Sequence, residues 1–222
     1  MFKQIKTIVA VAAVSAGVST PALAQIELTG GLVQVAPSSV NSNNLTLGGA
    51  ALPSSVADIN GDNGFYFGLN YNINSEFSIG ATANLGLVHT ASEAGLGIGE
   101  AGRFDLEMYT LTGKYRFPTE FALKPYFSAG LVHLHPREAR ATAGLKAGLG
   151  TNDISLRVNR ATGWMAGAGA ELWASERIGL FGEASYSWVD TAATFNVAGA
   201  TLRGSGIDVN PVIYRLGAII RF

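Results

Sequence analysis

The sequence has no cysteine, few charged residues and no long apolar run beyond its N-terminal segment. The absence of cysteine among 222 residues excludes a disulfide framework and a thiolate metal site. Charged residues make up 14 % and give a formal net charge of −1, so nucleic-acid binding has no electrostatic support. No later segment approaches about 18 consecutive apolar residues, which excludes a bundle of membrane-crossing helices.

The first 24 residues have the three parts of a secretory signal peptide. Two lysines precede an apolar stretch from Ile8 to Val18, and Ala22-Leu23-Ala24 follows. The apolar stretch is too short to span a bilayer as a helix, and an A-x-A sequence is typical of a cleavage site. We therefore predict that residues 1–24 are removed and that residues 25–222 form a single mature domain.

Apolar residues nevertheless make up 48 % of the chain, and glycine is abundant at 28 residues. In "GFYFGLNYNI" and in "FSIGATANLGLVH", apolar residues alternate with Gly, Asn, Ser and Thr. Alternation of period two predicts β-strands. These two are longer than the usual 5–6 residues of a soluble strand and match the roughly 9–11 residues that a tilted membrane-crossing strand needs.

The same pattern predicts an all-β fold, an eight-stranded antiparallel transmembrane β-barrel in residues 25–222. A ten-stranded barrel is the alternative, because "DISLRVN" could add a hairpin or extend strands above the membrane. The fourth strand changes its apolar phase, which predicts a bulge near Tyr109. The predicted strands are at about 26–36, 64–73, 77–89, 104–117, 122–134, 161–173, 177–190 and 207–222.

Connections between these strands alternate between short and long. The short ones are Asn74–Glu76, Pro118–Phe121 and Ala174–Glu176, and the long ones are rich in Gly, Ser, Asn and Ala. Short periplasmic turns with long external loops are characteristic of outer-membrane barrels. An even number of strands places both termini in the periplasm, as a secreted chain requires.

Aromatic residues cluster near both ends of the predicted strands, as expected for two interfacial girdles. A soluble secreted barrel or sandwich is the alternative, but it would need the Gly- and Asn-rich face to be outside. The last strand would close the barrel against the first, since an open edge is not tolerated in lipid. The predicted girdles contain Tyr71, Phe77, Tyr115, Phe117, Trp173 and Phe222 at the periplasmic side, and Phe65, Tyr109, Trp164, Tyr186 and Trp188 at the external side.

Three segments resemble the OmpW family of small outer-membrane barrels. They are "LVQVAP" at 32–37, "KPYFSAG" at 124–130 and the closing "DVNPVIYRLGAIIRF". Their order and spacing cover almost the whole mature chain. The sequence departs from the family at Ser128, at Asn210-Pro211-Val212 and at Ile220, and it lacks a proline pair in the fourth strand, which puts a lateral opening there in doubt.

The resemblance implies outer-membrane localisation and passive uptake of small hydrophobic molecules, in a protein that is not an enzyme and has no cofactor. The expected partners are outer-membrane lipid, small hydrophobic ligands and the barrel-assembly machinery, which would recognise Phe222. A structural or adhesive surface barrel acting through its external loops is the alternative function. It would need no cavity.

Sorting the inward-facing residues by depth predicts an apolar cup above a charged plug. An eight-stranded barrel is just wide enough for its side chains or for one small ligand, and buried charges need partners. The plug is predicted to contain Lys114, Glu171, Glu183 and Arg215, with Glu183 paired to Arg215. The predicted ligand-binding residues at the external mouth are Val35, Tyr66, Val88, Met108, Val132, Met165, Val189 and Ile213.

Three other patterns are weak. "GIGEAG" at 97–102 matches a dinucleotide fingerprint, but no helix pattern follows it, and "DINGDNG" at 58–64 departs from a calcium loop in its glycine and at Leu69. The three histidines are His89 and His133, which we place in the outward phase, and His135, which we place at the start of a loop. We therefore predict no catalytic residues and no metal site.

Overall fold

The computed structural model describes residues 26–37, 46–47, 50–51, 55–94, 99–148, 150–197 and 200–222. The predicted signal peptide lies outside them. The described residues form one helix, α1 (Ala143–Gly148), and fourteen strands. The strands are β1 (Ile26–Pro37), β2 (Thr46–Leu47), β3 (Ala50–Ala51), β4 (Ser55–Ile59), β5 (Asp62–Asn72), β6 (Phe77–Ala94), β7 (Glu100–Arg116), β8 (Leu123–Ala141), β9 (Ile154–Val158), β10 (Ala161–Trp173), β11 (Ile178–Trp188), β12 (Asp190–Val197), β13 (Ala200–Asp208) and β14 (Pro211–Arg221).

Eight of these strands close into an antiparallel barrel, which confirms the predicted fold. Neighbouring strands follow the order β6-β5-β1-β14-β11-β10-β8-β7, and β6 also pairs with β7. The last strand pairs with the first from Glu27 opposite Arg221 to Pro37 opposite Pro211. The Phe222 N–H donates to the Ile26 carbonyl at 3.1 Å. Closure pairs both edges of the sheet, so the barrel leaves no open edge.

One end of the barrel carries the three predicted short turns, and we call it the short-turn end. Side-chain oxygens accept backbone hydrogen bonds in two of these turns. Asn74 Oδ1 accepts from the N–H groups of Glu76 and Phe77 at 2.9 and 2.7 Å, and Ser175 Oγ accepts from Ile178 at 3.1 Å. Asn and Ser close tight turns in this way because their oxygens reach the backbone two or three residues later.

At the opposite end, which we call the loop end, the segments that connect the barrel strands form a second sheet. This loop sheet has the order β3-β2-β13-β12-β9. The segment "DISLRVN" supplies β9 to it, so the segment extends the structure above the barrel and adds no barrel strand. Residues 207–208, which we assigned to the last barrel strand, end β13 instead. Within the described residues, no helix has the length and apolar character of a transmembrane helix.

The predicted bulge is in a different strand. Asn84 pairs with Met108 and Leu87 pairs with Leu106, so two residues of β6 oppose Glu107 alone. The extra residue is accommodated at Gly86, whose φ is +77°, a value that favours glycine. Burial alternates without interruption in β7 from Arg103 to Arg116, the part of the strand that contains Tyr109. The prediction of a bulge near Tyr109 was therefore wrong, because the inward face of β7 changes from apolar to polar without changing phase.

The outward face of the barrel is a continuous apolar surface. Leu216, Phe67 and Trp164 are 65 %, 60 % and 68 % exposed, as lipid-facing side chains of a barrel should be. One predicted girdle residue is placed differently. Trp173 lies in the same phase as Glu171, donates from Nε1 to Glu171 Oε2 at 3.3 Å and stacks under the Arg221 guanidinium.

Candidate functional site

The lumen near the short-turn end is filled by a charged cluster centred on Arg116. Its guanidinium donates to Glu27 Oε2 at 2.7 Å, to Glu171 Oε2 at 2.9 Å and to Asn72 Oδ1 at 2.8 Å. Lys114 Nζ lies 2.8 Å from Glu171 Oε1. Both glutamates are fully buried. Two carboxylates against Arg116 and Lys114 compensate charges that would be costly to bury alone.

The same cluster ties the closing strand to the first strand. Arg221 donates to Glu27 Oε1 at 2.7 Å, and Asn72 Nδ2 donates to the same oxygen at 2.9 Å. The inward phase of β1, β5, β7, β10 and β14 brings these side chains to one level of the lumen. We call this cluster the plug; it shares Lys114 and Glu171 with the predicted plug, and its members are Glu27, Asn72, Lys114, Arg116, Glu171 and Arg221.

A second polar tier lies above the plug. Arg215 donates to Glu183 Oε1 at 2.7 Å and to Asn84 Oδ1 at 3.0 Å, and Tyr126 Oη donates to Glu183 Oε2 at 3.2 Å. The structure thus brings together all four residues predicted to block the lumen, as the pairs Lys114–Glu171 and Glu183–Arg215.

An apolar layer follows, and most of the predicted ligand-binding residues belong to it. Their side chains have exposed fractions of at most 2 % and pack together in the lumen, and none of them lines the cavity described next. The buried members are Tyr66, Met108, Val132, Met165 and Ile213, and Val189 is buried at the loop end of β11. This corrects the prediction that Val132, Met165 and Ile213 line a cavity with Val88.

The cavity lies one step closer to the loop end, between the barrel rim and the loop sheet. It encloses about 60 Å³. Of the predicted ligand-binding residues, only Val35 lines it. The rim contributes Ile59, His89, Phe104, Leu106 and Leu134, and the loop sheet contributes Leu156, Ala193 and Phe195. A Cβ on Gly102 would lie 2.5 Å from Leu156 Cδ2, so glycine allows the loop-sheet leucine to reach the rim.

Val88 faces outward, contrary to the prediction. The extra residue at Gly86 inverts the phase of β6 beyond it, because a one-residue shift moves every side chain to the other face. Leu87 and His89, which alternation placed outside, are each 1 % exposed and point inward. The Val88 N–H donates to Asp62 Oδ2 at 2.5 Å.

His89 is held against Asn60, which lies between β4 and β5. Its Nδ1 lies 2.7 Å from the Asn60 carbonyl oxygen, and Asn60 Oδ1 accepts from the Thr90 N–H. His89 pairs with Phe104, which precedes Tyr109 by five residues in β7 and lies closer to the loop end. Burial lowers the pKa of His89 below its ordinary value, and this effect outweighs the opposing influence of the Asn60 carbonyl and of Asp62. The imidazole is therefore neutral at pH 7.

The arrangement divides the lumen into two compartments. A polar vestibule of about 930 Å³ opens at the short-turn end and is lined by Arg116, Lys124, Trp173 and Arg221 among others. The plug, the second polar tier and the apolar layer separate it from the cavity. An apolar molecule in the cavity therefore meets buried charge along the barrel axis, which opposes axial passage.

Sequence reasoning missed three groups of residues at the site. Alternation places Arg116 and Glu27 on the inner face, but their central position in the plug follows only from the strand register. Phe104 and Leu106 lie in the inward phase of β7, as alternation in the sequence indicates. Leu156 and Phe195 belong to loop segments. The only sequence signal that these segments form a wall of the cavity is their short runs of alternating apolar and polar residues.

In the described residues, the three weaker sequence patterns do not form a ligand-binding site. Asp62 and Gly64 of "DINGDNG" begin β5, and the described part of "GIGEAG" begins β7, while residues 97–98 lie outside the described residues. His133 bonds Thr162 at 2.8 Å on the outer face, and His135 lies within β8. Among the described residues, no group of three or more His, Asp or Glu side chains is placed to hold a metal ion.

A closed barrel with an apolar outer band and a polar, charge-compensated lumen defines an outer-membrane β-barrel protein. Residues 10–210 match the family described as outer membrane protein beta-barrel domain, and the chain belongs to that family. The protein is therefore located in the outer membrane. No curated protein sequence shows a significant match to this chain.

Three solved structures are similar to this barrel. OprG from Pseudomonas aeruginosa has a TM-score of 0.78 and 20 % identity, over 89 % of this chain and 95 % of that one. AlkL in lipid bilayers gives 0.61 and 18 %, over 89 % and 90 %. Outer membrane protein W of E. coli gives 0.51 and 18 %, over 89 % and 97 %. These similarities confirm the OmpW-like resemblance at the level of the fold.

Proposed function

We propose that this protein is an outer-membrane channel or receptor for the passive uptake of small hydrophobic molecules, and that it is not an enzyme. The observation that carries the proposal is the apolar cavity between the barrel rim and the loop sheet. Its lining is almost entirely aliphatic and aromatic, and apolar concave sites of this kind bind apolar ligands. The cavity lies at the external end, where a molecule from the medium would arrive.

The charged plug favours a lateral route of release. A hydrophobic molecule moving along the axis would displace or desolvate the Arg116 and Arg215 ion pairs, which is costly in a closed lumen. Movement sideways into lipid exposes the molecule only to apolar surroundings. We therefore propose uptake from the medium into the cavity and onward into the bilayer.

The enclosed volume is small for this role. Pockets for drug-sized ligands measure roughly 300–1,000 Å³, against about 60 Å³ here. The loop sheet therefore has to separate from the barrel rim when a ligand binds. The proposal is consistent with such a change because the outer wall of the cavity is built from loop segments, which move more readily than barrel strands.

Neighbouring residues on β9 provide a matched test. Leu156 lines the cavity, whereas Ser155 is exposed on the opposite face of the same strand. In cells that lack the native gene, Leu156→Arg should reduce naphthalene uptake by at least about tenfold, because it places a charge in an apolar site. Ser155→Arg should leave uptake at the wild-type rate.

Heat-resistant migration on gels would show that both variants retain the barrel. Equal uptake by folded Leu156→Arg and wild-type protein would contradict transport through this cavity. It would favour the alternative, a structural or adhesive barrel that acts through its external loops. The assembly role of Phe222, recognition by the barrel-assembly machinery, is proposed from the resemblance and is independent of this result.

A further inference from the structure

One polar group stands out in the wall of the apolar cavity. His89 lines the cavity, its side chain is 1 % exposed, and its Nε2 has no hydrogen-bond partner among the described residues. Buried polar groups are nearly always hydrogen-bonded, so an unpartnered one calls for a physical explanation. Its ring is packed against the ring of Phe104, with centroids 5.7 Å apart, and an aromatic ring face offers Nε2 no conventional donor.

The other ring nitrogen fixes what Nε2 can do. The Asn60 carbonyl, 2.7 Å from Nδ1, can only accept a hydrogen bond, so Nδ1 carries the proton. In a neutral imidazole the second nitrogen is then an acceptor. Asn60 is itself held in place, because its Oδ1 accepts a hydrogen bond from the Thr90 N–H. A 180° flip of the imidazole ring would break the bond from Nδ1 to the Asn60 carbonyl. Nε2 is therefore a fixed acceptor in an apolar site.

We propose that the ligands of this cavity are small apolar molecules that carry one hydrogen-bond donor, such as a neutral alcohol or phenol, and that the donor binds His89 Nε2. The inference rests on the proposed function and specifies the substrate class of the same site. The apolar body of the ligand replaces the contacts between the rim and the loop sheet, and its O–H or N–H satisfies the buried acceptor.

The same chemistry makes neighbouring classes of ligand bind less tightly. An ether or ketone presents only an acceptor to Nε2, so both the ligand oxygen and Nε2 remain without a hydrogen-bond donor. A carboxylate has no donor for a neutral imidazole, and Asp62, whose Oδ2 binds the Val88 N–H one residue from His89, adds like-charge repulsion. A hydrocarbon fits the apolar wall and gains no hydrogen bond. Donor-bearing neutral molecules are the class that the site selects.

Phenol, anisole and toluene each contain one benzene ring and distinguish these cases. Phenol carries a hydrogen-bond donor, anisole carries only an acceptor, and toluene carries neither. We would titrate each into the full-length mature protein in lipid nanodiscs and follow the ¹⁵N signal of the His89 imidazole. Phenol should shift the Nε2 signal towards its hydrogen-bonded position. Phenol should also bind about tenfold more tightly than anisole, since a lost hydrogen bond to a buried acceptor changes affinity by roughly that factor.

His89→Phe identifies the His89 signal by its loss and should bind phenol and anisole equally. His133→Phe is the matched control, because His133 lies on the outer face of the barrel and is bonded to Thr162. It should leave the phenol preference unchanged. The wild-type titration does not depend on the folding of either variant.

Three results would overturn the inference. They are equal binding of phenol and anisole by the wild type, a phenol preference that persists in His89→Phe, and an Nε2 signal already at its hydrogen-bonded position that phenol does not move. The last result would mean that a bound water satisfies Nε2. Naphthalene uptake that depends on Leu156 would still stand in each case, so failure of this inference is distinguishable from failure of the proposed function.

Discussion

At the scale of single residues, Arg116 is the centre of the plug. It contacts Glu27, Glu171 and Asn72 through its three guanidinium nitrogens, and so joins strands β1, β5, β7 and β10. A guanidinium suits this position because its fixed donors reach several acceptors at once without losing charge. Lysine at the same place would supply the charge and fewer directed hydrogen bonds.

Replacing Arg116 by methionine should destabilise the barrel by about 3 kcal/mol, because Glu27 and Glu171 would each lose a buried cationic partner. The substitution keeps a long side chain and removes the charge. Urea unfolding of the refolded barrel in lipid, monitored by tryptophan fluorescence, would measure the change.

Arg140→Met is the control for this prediction. Arg140 pairs with Glu138 at the surface, where the two side chains are 74 % and 61 % exposed. An exposed ion pair contributes about 0–1 kcal/mol, so unfolding should be nearly unchanged. Equal effects of the two substitutions would show that the plug does not stabilise the barrel.

At the scale of secondary-structure elements, the bulge in β6 determines which side chains form the cavity wall. Between Phe77 and Gly86 the strand keeps the simple alternation that the sequence shows. Beyond it, Leu87 and His89 replace Val88 on the inner face. The bulge therefore places the imidazole in the cavity. Without it, His89 would face outward.

Because the chain has no cysteine, single-cysteine variants test this phase directly. Val88→Cys should react with a water-soluble maleimide in intact cells, and Leu87→Cys should be protected, since Leu87 is 1 % exposed. Deleting Gly86 in each background should exchange the two results, because the deletion restores uninterrupted alternation. Labelling of position 87 in the undeleted protein would contradict the bulge.

The elements also show how far the sequence predicts the structure. Strand number, turns and lipid-facing residues follow from period-two alternation, because one face must be apolar in lipid and the other must not. In β7 the apolar residues change phase after Met108, which predicts a bulge near Tyr109. The change has another cause, because the inner face of the strand becomes polar towards Lys114. A bulge of one residue at Gly86 left no distinct pattern in the sequence.

The loop sheet was beyond prediction for a different reason. Its strands come from separate loops, with β9 pairing β12 and β13 pairing β2. Short strands of this kind are specified by contacts with distant segments and carry little local signal. The cup was therefore predicted one layer too low, at Met165 and Ile213, which pack beneath the true cavity.

At the scale of the whole molecule, the order of layers in the described part of the chain makes the loop sheet the wall of the cavity that can move. The barrel wall is a closed hydrogen-bonded ladder, and the plug and apolar layer fill the lumen below the cavity. A cavity of about 60 Å³ cannot hold a ring-containing ligand without expanding. Leu156 of the loop sheet lies directly against Gly102 of the barrel rim.

A reversible disulfide across this contact should therefore stop uptake. In the Gly102→Cys/Leu156→Cys variant, a Cβ at position 102 lies 3.8 Å from the present Leu156 Cγ, which is close to where the Sγ of the second cysteine would sit. The two thiols are therefore near enough to form a disulfide after a small adjustment of the loop sheet. Oxidation should fix the loop sheet on the rim and abolish naphthalene uptake, and reduction should restore it in the same cells. Each single-cysteine variant should transport at one rate under both conditions, because neither can form the bridge. Undiminished uptake by the oxidised double variant, with the disulfide verified by mass spectrometry, would show that ligands reach the membrane without the loop sheet moving.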